Sequence, residues 1–175
     1  RAVEPEEVIM YEAGLHSTLL DNRLRINGAV FHYKLTDQQV LGSADGGAFA
    51  YALFNASGST VQGIEGDFVL QLTEGLSFNG GFSSVDAEYG DAMTQSPLRE
   101  DVNIKGNQFR NAPKFSATLG LNYDVSTSHG TYSFRTDWKV IGDTYFSGAG
   151  ENIPDDWKRD TFATGNIRFC FLSLD

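Results

Sequence analysis

Only one cysteine, Cys170, occurs in the 175 residues, so no disulfide can form within the chain and a stapled secreted mini-domain is excluded. Long apolar runs are also missing. The longest, residues 48–54, falls far short of the roughly 20 apolar residues that a helix needs to cross a bilayer. Mean hydropathy is -0.27. These absences exclude a transmembrane helix but not a membrane strand, which offers lipid only every second residue. Basic residues are scarce: 13 Lys and Arg stand against 23 Asp and Glu, a net charge of -10. Without a basic patch to neutralise phosphates, a nucleic-acid partner is excluded. The three histidines, His16, His32 and His129, are scattered, and no glycine-rich phosphate loop or Ser/Cys nucleophile motif occurs. The chain therefore reads as neither an enzyme nor the holder of a cofactor. The four prolines, Pro5, Pro97, Pro113 and Pro154, all lie outside the stretches described next, as a sheet requires of a residue lacking an N–H donor.

What the chain has is aromatics (13%), 19 glycines and seven stretches of period-two alternation. The stretches are residues 8–19, 24–40, 51–72, 76–89, 114–125, 131–146 and 161–171. In the sixth, Tyr132, Phe134, Trp138, Val140 and Phe146 point one way while Ser133, Arg135, Asp137, Lys139 and Asp143 point the other. In the second the parity breaks, because Val30, Phe31 and Tyr33 do not share a face, which predicts a bulge or aromatics on the polar side. Short turns at Asp21, Glu74 and Ser128 fall at one end of the sheet, and three long polar loops fall at the other. The loops are residues 41–47, 90–113 and 147–160.

This pattern predicts an all-β antiparallel wall of about seven long strands. Outer-membrane barrels have the same asymmetry of short periplasmic turns and long extracellular loops. Strands of about 12 to 17 residues exceed the soluble norm of about 5 to 6. Tyr11, Tyr89, Tyr123, Tyr132, Tyr145 and Phe146 fall near strand ends, where aromatic girdles would sit. An odd number of strands cannot close a single-chain bacterial barrel, and the chain opens at Arg1 without a leader. Residues 1–175 are thus expected to form an incomplete transmembrane β-barrel domain.

Several runs in order resemble TonB-dependent outer-membrane receptors. They are Pro5-Glu6-Glu7-Val8 through Tyr11-Glu12-Ala13-Gly14-Leu15, then Leu20-Asp21-Asn22-Arg23-Leu24-Arg25-Ile26-Asn27, Phe31-His32-Tyr33 and Gln39-Val40. Gly63-Ile64-Glu65-Gly66, Thr73-Glu74-Gly75-Leu76, Asp86-Ala87-Glu88-Tyr89, Asn111-Ala112-Pro113-Lys114 and Ala117-Thr118-Leu119 follow in the family's order. The resemblance implies the C-terminal part of a 22-stranded barrel in a Gram-negative outer membrane. It also implies a plug domain and closing strands that this chain lacks. The whole receptor would import a scarce ligand, of siderophore, cobalamin or glycan type, with energy from the TonB complex acting through the plug. Outer-membrane lipid would be the other partner. A passive porin and a soluble carbohydrate-binding β-sandwich remain as alternatives.

On the polar face, Glu12, His16, Glu65, Asp67, Arg135, Asp137, Lys139, Asn166 and Arg168 are expected to line the lumen. Phe109, Tyr145 and Trp157, in or near the long loops with Phe146, stand where receptors of this type place aromatic ligand contacts. Two acidic groups, Asp86 with Glu88 and Asp91, and Glu151 with Asp155, Asp156 and Asp160, carry oxygen ligands suited to Ca²⁺ or Mg²⁺. Their spacing fits no EF-hand, and no metal is predicted.

Overall fold

The computed structural model describes residues 3–43, 51–95, 101–147 and 157–173. In chain order the strands are β1 Glu7–Leu19, β2 Leu24–Thr36, β3 Gln38–Ser43, β4 Tyr51–Ala56, β5 Ser59–Gln71, β6 Leu76–Glu88 and β7 Met93–Gln95. There follow β8 Asp101–Asn103, β9 Phe115–Thr127, β10 Gly130–Ile141, β11 Thr144–Tyr145, β12 Lys158–Arg159 and β13 Phe162–Ser173. Seven of them form one sheet in the order β1-β2-β5-β6-β9-β10-β13, every neighbour antiparallel. It is an open barrel wall with β1 and β13 as its edges. Among the described residues no helix is long and apolar enough to cross a membrane.

The short turns sit where expected. Leu20, Asp21 and Asn22 all take positive φ, at 54°, 54° and 67°, and the Arg23 N–H donates to the Leu20 carbonyl at 3.1 Å. Asp and Asn accept that backbone readily, and Leu20 is carried into it by the turn. Three of the expected strands are shorter than their alternation suggested. Residues 24–40 break at Asp37 (φ 55°), 51–72 break at Ser57 and Gly58 (φ 63°), and 131–146 break at Gly142 and Asp143. The first two breaks lead into and out of one hairpin, β3-β4, and the third opens another, β11-β12, while β7-β8 forms a further hairpin within residues 90–113, expected as loop. Residues 41–43, expected as loop, belong to β3, and Phe146 is not part of the β10 row. Of the expected loop at 41–47, residues 44–47 lie outside the described residues.

Register settles the parity of β2 without a bulge. The ladder is continuous from Leu24 to Thr36, with Phe31 opposite Glu12 and Gly63, and Tyr33 opposite Met10 and Val61. Both aromatics therefore lie on the polar face, stacked at 5.1 Å between ring centroids. Gly63 makes room for Phe31, since a Cβ there would stand 2.7 Å from the ring.

The opposite face is continuously apolar at mid-height. Leu15, Val30, Ile64, Phe82, Leu119, Trp138 and Ile167 share it by register, and Leu15 and Ile167 are 65% and 67% exposed. A soluble sandwich would cover such a face with a second sheet. Among the described residues no layer covers it, and their buried apolar side chains, Ala56, Ala87, Ala92 and Ile104, lie at the long-loop end. The apolar band spans about seven residues on β5 to eleven on β9, or ~18–28 Å after a barrel tilt of roughly 40°, which brackets the ~25 Å band of outer-membrane barrels. Above it, towards the long loops, the same face turns polar at His32, Gln62 and Asp86.

Aromatic girdles are only partly as expected. Tyr11, Tyr123 and Tyr132 stand exposed on the apolar face, Tyr132 tilted against Phe171 at 4.6 Å. Tyr89 instead stacks on Phe109 at 4.4 Å and packs against the small cluster of Ala56, Ala92 and Ile104.

Candidate functional site

The polar face collects the expected lumen residues on one surface. Glu12, His16, Glu65, Asp67, Arg135, Asp137, Lys139, Asn166 and Arg168 all share the parity that the register assigns to it. Three neighbouring strands are tied together there. Asn27 Nδ2 donates to both Asp67 carboxylate oxygens, at 2.8 and 3.1 Å, while its Oδ1 meets His16 Nδ1. An amide oxygen only accepts, so this contact is a hydrogen bond in the forms of His16 that carry a proton on Nδ1. Beside this row a hollow of about 600 Å³ opens over Gly14, Ala29 and Gly81, with Glu12, His16, Glu65 and Asp67 around it.

On β10, residues two apart share a face, and Arg135 holds Asp137 with two bonds, Nε to Oδ2 at 2.7 Å and Nη2 to Oδ1 at 2.9 Å. Arg168 stands directly opposite Arg135 on β13, and Asp137 is opposite Asn166. Lys139 faces Thr118 and Thr164.

The outer-loop aromatics are not gathered into one pocket. Phe109 is engaged with Tyr89, whereas Tyr145 lies on β11 and Trp157 is 46% exposed just before β12. The Phe146 N–H donates to the Trp157 carbonyl at 2.9 Å, and the Asn111 N–H to the Tyr145 carbonyl at 2.8 Å, so two long loops meet here through backbone. Sequence reasoning missed the polar strap that holds this region. Lys158 Nζ bridges Asp143 at 3.0 Å and Asp160 at 3.2 Å, and Asp143 also accepts from the Thr161 N–H and hydroxyl, both at 2.8 Å. The Thr161 bonds, then Lys158, hold the Asp143 carboxyl below its usual range; Asp143 and then Asp160 push the Lys158 ammonium up. Arg159 lies over the Phe162 ring at 4.2 Å. These partners are up to 18 residues apart, beyond the reach of any periodicity.

The first acidic group does not converge. Asp86 pairs with Lys114 at 3.7 Å and Asp91 accepts from Asn103 at 3.1 Å, while Glu151, Asp155 and Asp156 lie outside the described residues. Among the described residues no three His, Cys, Asp or Glu side chains are grouped to hold a metal.

The family model described as TonB dependent receptor-like, beta-barrel, matches residues 1–171. The metal-pseudopaline receptor CntO of Pseudomonas aeruginosa is 35% identical over 176 residues, covering 100% of this chain and 21% of that protein. By fold, the chain is similar to the ferric yersiniabactin uptake receptor FyuA of Yersinia pestis, with a TM-score of 0.75 at 19% identity over 97% of this chain and 23% of that one. It is also similar to BauA, the ferric preacinetobactin receptor of Acinetobacter baumannii, with a TM-score of 0.71 at 16% identity over 98% and 23%. The chain spans about a fifth of the length of such relatives.

Proposed function

This chain belongs to the TonB-dependent receptor-like β-barrel family, and from that premise we propose that it forms part of the wall of an outer-membrane active-transport receptor. The receptor binds a scarce metal chelate of the siderophore class outside the cell and imports it with energy passed from the TonB complex. The observation that carries this reading is the family match over residues 1–171, on a sheet whose apolar face is bare and whose polar face is lined with ions. An interior plug domain and the remaining strands belong to other parts of the same receptor. The members of the family are transport receptors, and in this role the lumen ions are wall and contact groups with no catalytic step assigned to them. The named relatives, receptors for metal-pseudopaline, ferric yersiniabactin and ferric preacinetobactin, support a chelated metal over cobalamin or a glycan. They do not favour a passive porin.

The test is uptake of radiolabelled metal chelates by a receptor-deficient Gram-negative strain carrying the full-length gene, with and without a functional TonB. Accumulation that needs both the gene and TonB supports the reading. Uptake that persists without TonB would make the protein a porin.

A further inference from the structure

The two faces of the wall exchange character near the long-loop end of β1, β2, β5 and β6. On the outward face, the row of His32, Gln62 and Asp86 is followed by the row of Lys34, Thr60 and Glu88, all polar. On the lumen face, the interleaved rows lose their charge. Met10 stands opposite Tyr33, Tyr33 opposite Val61 and Val61 opposite Ala87, and one row further out Val8 stands opposite Leu35. Just below, Phe31 and Val85 lie on either side of Gly63, and Glu12 opposite Phe31 closes the ionic part of this face.

The polar outward rows place this level of the wall above the lipid. A wall with water on both sides gains nothing from an apolar lumen face, yet Val8 and Met10 are 60% and 57% exposed there. The patch also carries rings. Phe31 and Tyr33 stack at 5.1 Å, and Gly63 makes the room that lets Phe31 lie against the wall. At the far side the Phe109 N–H donates to the Ala87 carbonyl at 2.9 Å, which sets the stacked Tyr89 and Phe109 beside the same patch. Among the described residues the Tyr33 hydroxyl makes no hydrogen bond. Apolar walls, flat rings and a single free polar handle are the lining of a small-molecule site.

We propose that this patch receives the organic body of the imported metal chelate, and that the chelate is of an aryl-bearing, largely apolar class. Its rings lie on Phe31 and Tyr33, and a phenolic or amide group reaches the Tyr33 hydroxyl. Chelates recognised through carboxylates or sugars are disfavoured, because the lumen-facing rows from Met10 to Ala87 and from Val8 to Leu35 offer no cation. The inference rests on the receptor reading above, to which it adds the class of ligand and the wall residues that select it.

The experiment uses a receptor-deficient strain carrying the full-length gene, and two sets of radiolabelled ferric chelates: aryl (catecholate and phenolate) and aliphatic (hydroxamate and citrate). Binding is expected from the aryl set. Tyr33→Ala should weaken it about tenfold, the worth of one aromatic contact, and Tyr33→Phe should weaken it less, with heat-modifiable gel mobility reporting an intact barrel in both. In a Cys170→Ser background, Met10→Cys should react with a membrane-impermeant maleimide and be shielded once the aryl chelate binds. A Met10→Cys thiol that is unreactive before any chelate is added would show that the receptor's own chain covers the patch, and would overturn the proposal. Binding from the aliphatic set alone, from neither set, or from the aryl set but unchanged by Tyr33→Ala would also overturn it. TonB-dependent uptake of an aliphatic chelate would leave the receptor reading standing while this inference falls.

Discussion

The indole of Trp138 on β10 lies across Gly165 of β13, where a Cβ would stand 2.5 Å from the ring. Phe68 covers Gly80 and Phe82 covers Gly66 in the same manner, so the bare backbone of these three glycines on the lipid side is shielded by a ring from the next strand. Gly165→Val should force Trp138 out of its place and destabilise the barrel by about 1–3 kcal/mol. Gly14→Ala, whose Cβ would meet only the Gly28 carbonyl at 3.5 Å, should be tolerated. Unfolding of the two full-length variants in lipid vesicles checks the contrast, and equal stability would refute it.

Leu119 and Ser116, both on β9, point to opposite faces, the first 52% exposed beside Trp138 and Gly80, the second opposite Ser83. Leu119→Arg places a charge at lipid mid-height and should cost about 2–4 kcal/mol, whereas Ser116→Arg faces the lumen and should cost far less of the barrel's stability. The reverse order in the same refolding assay would invert the assignment of faces.

Asn27 joins His16 to Asp67 through an amide that accepts from one and donates to the other. Asn27→Asp would set two carboxylates against each other across β2 and β5 and remove both donors to Asp67. The expected result is weaker hydrogen-exchange protection along β2 and β5, restored when Asp67→Asn is added. Unchanged protection would mean that the network does not tie the strands.

Acid should loosen the β11-β12 strap. The Asp143 carboxyl is held below its usual range by Thr161 and then Lys158, so its contribution is present above the ordinary carboxylate pKa and is lost as pH falls through the lowered value. Lys158 is shifted upward, so its share is present below the ordinary lysine pKa and is lost as pH rises through the raised one. Hydrogen-exchange protection of residues 144–145 and 158–159, taken relative to the intrinsic rate at each pH, should therefore rise between acid and neutral pH, and Asp143→Asn should abolish that change. A pH profile identical in wild type and variant would remove Asp143 from the strap.

Period-two alternation was enough to place the seven sheet strands, the three tight turns and the sorting of Glu12, Asp67, Arg135 and Arg168 onto one face, because side-chain direction in a strand follows parity and nothing else. Parity also carried the warning at Phe31 and Tyr33. It could not say where a strand ends when the alternation continues into a loop hairpin, as at Asp37, Gly58 and Gly142, since the break is made by backbone dihedrals and contacts with distant loops. Nor could it pair Lys158 with Asp143, or show that Arg168 faces Arg135 with one carboxylate between them. Those relationships depend on register, which is fixed by turn geometry and by which rings fit over which glycines, and so only the folded sheet decided them.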